Sequence, residues 1–269
     1  MDFYRRGADL VLKQEDFDLD QTLDCGQAFR WERRADGAYT GFARDLALVI
    51  RRERDYFVLE NTDEDTFLSV WVRYFDLATD YAALKNRYAD DETLSAACRF
   101  SPGMRLLRQD GWEALCSFIL SQNNNIPRIK GIIARMCALF SGFPTPAQLA
   151  QAGEAGLAPL RAGFRARYLA DAAQKLVDGV VRLDSLETMS LADARAQLMQ
   201  IIGVGTKVAD CALLYGQYRT EVVPMDVWMK RVMARFYPDG LPACTAATQG
   251  IAQQYLFHYI RRNPALCAL

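Results

Sequence analysis

LMQIIGVGTKVADCALLYGQYRTEVVPMDVWMKRVM, residues 198–233, holds two helical patterns joined by a short glycine turn. The first pattern runs over 191–201, Gly203-Val204-Gly205 makes a tight hairpin, and a second helix starts near Thr206. Glycine admits positive φ there and lets another backbone come close. The unpaired N–H groups of the second helix face whatever approaches the hairpin. A phosphate suits them, because a helix N-terminus carries partial positive charge. Such a contact holds a nucleic-acid backbone without reading its sequence. Gly-x-Gly between helices is also an ordinary turn. It is not a nucleotide-binding P-loop, which needs Gly-Lys-Ser/Thr after a strand, whereas the order here is Gly-Thr-Lys.

Lys207 falls in the first turn of the second helix, where the helix field opposes a cation. That field disfavours an ammonium, and a nucleophilic amine has to be free of its proton. A plain surface lysine is the alternative. Asp210 and Cys211 follow at i+3 and i+4, which places them on the lysine's side of the helix. Asp226 lies nineteen residues beyond the lysine, in VPMDV. Pro224 sets an extended entry, and Asp226 is placed to cap a helix over 227–236. A carboxylate facing a lysine can also assist proton transfers and stabilise positive charge developing on a sugar.

Upstream of this segment the first sixty residues read as strands: LVL at 10–12, AFRWE at 28–32, AYTGFA at 38–43, LALVIRR at 46–52 and YFVLE at 56–60. Asp36-Gly37 marks a hairpin. From about residue 64 the period becomes helical, with helices expected over 63–74, 81–89, 91–98, 111–122, 126–140, 145–152, 166–178, 191–201, 207–215, 227–236 and 246–261. The expected fold is α+β, an N-terminal antiparallel β-sheet domain over 1–105 followed by an all-helical region over 106–269. The early helices are free to pack with the later region.

The chain carries 32 basic and 33 acidic side chains, a net charge of −1. Residues 1–100 hold 14 Lys/Arg and 21 Asp/Glu, a net of −7, and residues 101–269 hold 18 and 12, a net of +6. The asymmetry directs any polyanion to the second half. No apolar stretch suits a signal peptide or a membrane span. Seven cysteines without a C-x-x-C pair argue for reduced, mostly buried thiols and against a zinc ribbon. His258 is the one histidine, set in a late helix, so the chemistry falls to Lys, Asp or Glu.

The hairpin, Lys207 and the downstream V-P-x-D together resemble the helix–hairpin–helix DNA glycosylase superfamily, in its lysine-bearing bifunctional branch. The resemblance implies that Lys207 attacks C1′ of a damaged nucleotide and forms a Schiff base, while Asp226 supports departure of the base. It also implies phosphate contacts at Gly203, Val204 and Gly205.

CGQAFRW at 25–31, SQNNNIPRIKGI at 121–132 and AGFRARY at 162–168 narrow the likeness to eukaryotic-type 8-oxoguanine DNA glycosylases. By that resemblance the Gly26 carbonyl accepts from the N7–H that oxoguanine has and guanine lacks, a contact that discriminates because the wrong base leaves a polar group unpaired. Asn123 fills the gap left by the flipped base, and Arg128 and Arg165 read the opposing cytosine. Phe164 wedges into the stack, where the family pattern has tyrosine. In AQQYLFHYIRR, Gln253 bonds the base edge and Phe257 stacks on it. Cys211 matches the cysteine beside the family's lysine, in a supporting role. Trp228 departs from the family's histidine two residues after the aspartate, although an indole N–H can still contact a phosphate.

These likenesses imply excision of 8-oxoguanine opposite cytosine, followed by strand cleavage through β-elimination. A glycosylase for another damaged base, or a non-catalytic DNA-binding module, are the alternatives. The expected partner is double-stranded DNA containing 8-oxoguanine, with no membrane, and the protein is expected to be a monomer in a prokaryotic cytoplasm. No cofactor or catalytic metal is expected. Only Cys244 and Cys267 follow Cys211, too few for an iron–sulfur cluster. An ion at the hairpin is left open.

Overall fold

The computed structural model of the protein describes residues 1–267. The chain forms two compact units, neither continuous in sequence. Met1–Gln27, Trp31–Arg108 and the chain from Thr220 onward make the first, and Ala28–Arg30 with Gln109–Arg219 make the second. A single break after residue 105 does not describe this arrangement, because the chain returns to the first unit at Thr220. Buried tyrosines hold the returning segment there. The Tyr255 hydroxyl donates to Met104 O at 3.0 Å, Tyr237 to Asp91 Oδ1 at 2.6 Å, and Tyr88 meets Thr248 Oγ1 at 2.6 Å.

The first unit contains a six-stranded antiparallel sheet. Its strands are β1 (Asp2–Arg6), β2 (Asp9–Lys13), β3 (Glu32–Arg33), β4 (Tyr39–Ala43), β5 (Leu46–Glu53) and β6 (Tyr56–Leu59), in the order β1-β2-β6-β5-β4-β3. Leu10 faces Leu59 and Ile50 faces Leu59 on the other side, so buried aliphatics run across the sheet. Strand β1 is absent from the sequence expectation, since DFYRR offers only two apolar residues. It is held by full pairing with β2.

The expected strand at 28–32 is corrected. Only Glu32–Arg33 joins the sheet. Gly26 turns the chain at a φ of +95°, a conformation natural to glycine. Gln27 then meets backbone groups that a strand ladder would otherwise pair. Its amide donates to Thr22 O and Arg105 O, both at 2.8 Å, and accepts from Leu107 N at 2.9 Å. Phe29 packs edge-on to Phe118 in the second unit, whereas Trp31 donates to the Tyr74 hydroxyl at 2.7 Å within a Trp71–Tyr74–Phe75 cluster of the first. The alternating aromatics therefore serve two cores.

The helical expectations hold with shifted ends. The helix expected over 191–201 stops at Leu198, and the one expected over 246–261 begins at Gln249. Val227–Phe236 forms as expected, capped by Asp226. In the second unit the Gly111–Leu120 helix is buried along nearly its whole length and crosses Thr206–Gln217 at a glycine pair. A Cβ on Gly216 would stand 2.9 Å from Gly111 Cα, so only glycine permits this approach. The crossing stacks Phe118 on Tyr215 at 4.9 Å. Arg30 and Glu113, both nearly buried, pair at 2.7 Å beneath it.

His258 lies buried in the Gln249–Arg262 helix, its ring 5.8 Å from that of Phe100. Burial, reinforced by Arg262 and Arg261, pushes the imidazole down to about 4 from its ordinary 6.5. Between these values the unfolded chain binds a proton that the folded chain refuses, so stability falls as pH drops from 6.5 towards 4. Urea midpoints measured at pH 7, 5.5 and 4.5 should decline more steeply for the native protein than for His258→Phe. Equal declines would contradict this account.

Candidate active site

The hairpin is shaped by one glycine and one ring. Gly203 has a φ of +78°, and a Cβ there would lie 2.2 Å from Tyr168 Cε2. Asp171 accepts from Ile202 N at 2.7 Å, and Lys175, paired with Asp171, donates to Gln200 O at 2.5 Å. Val204 is buried, while Gly203, Gly205 and Thr206 are exposed. Gly205 is the N-cap and offers no side-chain bond, so the first-turn N–H groups of Thr206–Gln217 stay open to an anion.

Lys207 is the second residue of this helix and is half-buried. Its Nζ reaches Ser121 Oγ at 3.4 Å and lies 5.4 Å from the centre of the Phe118 ring. No carboxylate among the described residues pairs with it. An amine against a hydroxyl and an aromatic face can attack an electrophile without first leaving a salt bridge. Sequence reading missed Phe118 and Ser121. The Gly111–Leu120 helix places both under the lysine, and only the glycine crossing shows it. Asp210 is not the lysine's neighbour in function: it is buried and pairs with Arg195 at 2.6 Å, while desolvation pushes its pKa up. Cys211 is buried as well.

The asparagines of 123–125 divide their work. Asn125 caps the Ile126–Phe140 helix by accepting from Arg128 N at 3.0 Å. Asn124 donates to Leu120 O at 2.9 Å, closing the preceding helix. Asn123 is exposed at a φ of +46°, and its side chain bonds nothing among the described residues. Arg128 is likewise exposed, and no described carboxylate pairs with it. Phe164 is 49% exposed, next to Tyr168. Arg165 differs from the expectation of an accessible side chain. It is buried, with its guanidinium turned to main-chain carbonyls.

The remaining candidates belong to the first unit. Gly26 stands in its positive-φ turn beside Cys25, whose thiol burial pushes up to about 11. Gln254 donates to Cys25 Sγ at 3.2 Å, and Arg261 donates to Cys25 O at 3.4 Å, so the turn is fastened to the Gln249–Arg262 helix. On that helix Gln253 is buried and its Oε1 has no hydrogen-bond partner among the described residues. An orphaned buried acceptor costs about 1–3 kcal/mol, which a bound N–H donor would offset. Phe257 lies one turn on, partly exposed. Asp226 caps through Oδ1, which accepts from Met229 N at 2.8 Å, and Oδ2 bonds nothing among the described residues. Trp228 carries the Arg231 guanidinium 5.1 Å over its ring. Among the described residues no cluster of His, Cys, Asp or Glu could hold a metal ion, and no helix is long and apolar enough to cross a membrane.

Comparison with known proteins adds independent findings. Residues 9–115 match the family model of the 8-oxoguanine DNA glycosylase N-terminal domain, and residues 116–241 match that of the HhH-GPD superfamily of base excision DNA repair proteins. The chain is 32% identical to the N-glycosylase/DNA lyase of Saccharomyces cerevisiae, over 85% of this chain and 70% of that protein. It is 29% identical to a probable N-glycosylase/DNA lyase of Methanothermobacter thermautotrophicus, over 93% and 96% respectively. Among solved structures, it resembles the Clostridium acetobutylicum 8-oxoguanine glycosylase/lyase bound to double-stranded DNA with cytosine opposite 8-oxoguanine. The TM-score is 0.89 and the identity 32%, covering 98% of this chain and 99% of that one.

The hairpin geometry separates its two glycines. Gly203→Ala drives a methyl into Tyr168 and strains a left-handed backbone, so it should destabilise the protein by about 2–4 kcal/mol. Gly205→Ala meets open space at an ordinary φ and should change stability by less than about 1 kcal/mol. Urea unfolding of both variants checks this, and equal losses would contradict it.

Proposed function

The chain belongs to the helix–hairpin–helix base excision DNA repair superfamily, in its 8-oxoguanine DNA glycosylase branch, and we propose that it excises 8-oxoguanine opposite cytosine and then cuts the strand, with Lys207 as nucleophile. The observation that carries this reading is the Lys207 amine, held in the first turn beyond the hairpin with no carboxylate partner among the described residues.

The hairpin N–H groups hold a phosphate of the damaged strand, which brings the deoxyribose to the lysine. The neutral amine forms a bond to C1′ as the bond from C1′ to N9 breaks, and the departing base takes up a proton. Loss of the ring oxygen from C1′, with a proton gained on that oxygen, gives the imine. Removal of a C2′ proton then expels the 3′-phosphate, so the strand is cut. Asp226, with Oδ2 uncommitted, stabilises positive charge on the sugar as the base leaves.

Recognition falls to the first unit. The orphaned Gln253 Oε1 accepts an N–H of the lesion's base-pairing edge, Phe257 stacks on the ring, and the Gly26 carbonyl accepts from N7–H. In the second unit Asn123 enters the vacated space, Phe164 wedges beside it and Arg128 reads the cytosine. Cys211 supports the lysine from its own helix, and Trp228 adds a phosphate contact from the turn after Asp226.

Single-turnover release should be fastest from 8-oxoguanine paired with cytosine, across a panel of lesions and opposing bases. Lys207→Gln should lower it on the order of 10³-fold or more. Asp226→Asn keeps a competent cap and should lower it on the order of 10²-fold. Gln253→Leu should slow release while raising stability by about 1 kcal/mol, because it removes an unpaired acceptor. Faster release of an alkylated base would redirect the assignment, and undiminished release by Lys207→Gln would overturn it.

A further inference from the structure

The turn around Gly26 closes on itself. Thr22 O accepts from Gln27 Nε2 at 2.8 Å and from Cys25 Sγ at 3.4 Å, so the residues on both sides of Gly26 return to one carbonyl. Cys25 and Gln27 are fully buried, and Gly26 between them is half-buried at a φ of +95°. Burial pushes the Cys25 thiol up to about 11, so near neutral pH it keeps its proton for Thr22 O, and its sulfur lone pairs are left to accept.

Two side chains of the Gln249–Arg262 helix take hold of this turn. Gln254 is 2% exposed, and its Nε2 donates to Cys25 Sγ at 3.2 Å. Arg261 Nη1 donates to Cys25 O at 3.4 Å, and its guanidinium carbon lies 5.8 Å over the Phe257 ring. Gln254 is the chain neighbour of Gln253, and Arg261 follows Phe257 at i+4, on the same face of the helix. The helix that carries the base-edge amide and the stacking ring thus grips the residue immediately before Gly26. Neither grip is needed to form the parts it joins, because the helix has its own hydrogen-bond ladder and the turn its own closure at Thr22 O. What the two grips add is a fixed relation between turn and helix. We propose that Gln254 and Arg261 are positioning residues for lesion selectivity. Through Cys25 they hold the Gly26 carbonyl at a set separation from Gln253 and Phe257, so that the groups reading the base act as one rigid template. This deepens the proposed function and rests on its assignment of those three residues to 8-oxoguanine. One N7–H contact separates the lesion from guanine, and a hydrogen bond weakens steeply as its geometry degrades. A turn free to drift would lose that discrimination while still admitting the base.

The test measures equilibrium binding of the full chain to duplexes that carry, opposite cytosine, 8-oxoguanine or guanine on a 2′-fluoro sugar, which resists loss of the base. A third duplex carries a tetrahydrofuran abasic analogue, with no base to read. Gln254→Met and Arg261→Met should each lower the preference for 8-oxoguanine over guanine at least about 5-fold, the scale of one hydrogen bond. Binding of Gln254→Met to the abasic analogue should stay within about 2-fold of native, since no bond to the base is at stake there. Cys25→Ala should lower the preference likewise, and Gln254→Met should add nothing in that background, because it acts through the sulfur. Cys25→Ser supplies a hydroxyl that can accept from Gln254 and donate to Thr22 O, and should retain the preference that Cys25→Ala loses. An unchanged preference, a Gln254→Met effect that survives Cys25→Ala, no recovery in Cys25→Ser, or a loss by Gln254→Met as large on the abasic analogue would each overturn the proposal. Native protein with no preference for 8-oxoguanine would instead overturn the function on which it rests.

Discussion

Tyr168 and residue 203 compete for one space, and the chain resolves the competition with glycine. The bend at Gly203 follows the helix that stops at Leu198 and leads into the next, whose first N–H groups are uncapped. Lys207 follows within that first turn. The same helix crosses Gly111–Leu120 at Gly216, and that second close approach sets Ser121 and Phe118 beneath the amine. Two glycine contacts thus define both the anion-facing end of the helix and the surroundings of its nucleophile. Neither contact offers a polar group to the chemistry. They act by excluding side chains.

Charge follows the three-dimensional units less sharply than it follows the sequence. The halves divided at residue 100 carry −7 and +6, but the units carry 20 basic and 24 acidic groups in the first and 12 and 9 in the second, which is −4 and +3. The difference arises because the chain returning after Thr220 brings five basic and three acidic groups to the unit that holds the acidic sheet, and because Arg105 and Arg108 also belong to that unit while Arg30 does not. Contacts with a polyanion are therefore not assigned to one half. Screening over roughly 8 Å in physiological salt lets basic patches act locally despite a net charge near zero.

Where local chemistry and tertiary packing agree, the sequence was legible. Asp226 caps through its own side chain, so Val227–Phe236 is legible as a helix, and Gly203 with Gly205 announces the hairpin. The misreadings share a cause. AFRWE alternates like a strand, but its aromatics serve different cores and the Gln27 side chain takes over the backbone pairing. DFYRR looks polar and becomes a strand through its pairing with β2. At the site, residue types pointed to Lys207 and Asp226, whereas Gln253 came only from the family likeness. What they could not reveal was environment: the carbonyl cage around Arg165, the missing partner of Gln253 Oε1, and the capture of Asp210 by Arg195. Each depends on atoms distant in sequence.

The central claim is that one amine, placed by the hairpin, makes the covalent bond to DNA. The direct measurement is to reduce the complex with a duplex carrying 8-oxoguanine opposite cytosine, digest it, and locate the sugar adduct by mass spectrometry. The expected result is a single adduct on Lys207. An adduct on any other lysine or on the N-terminal amine, or base release with no adduct at all, would contradict the account.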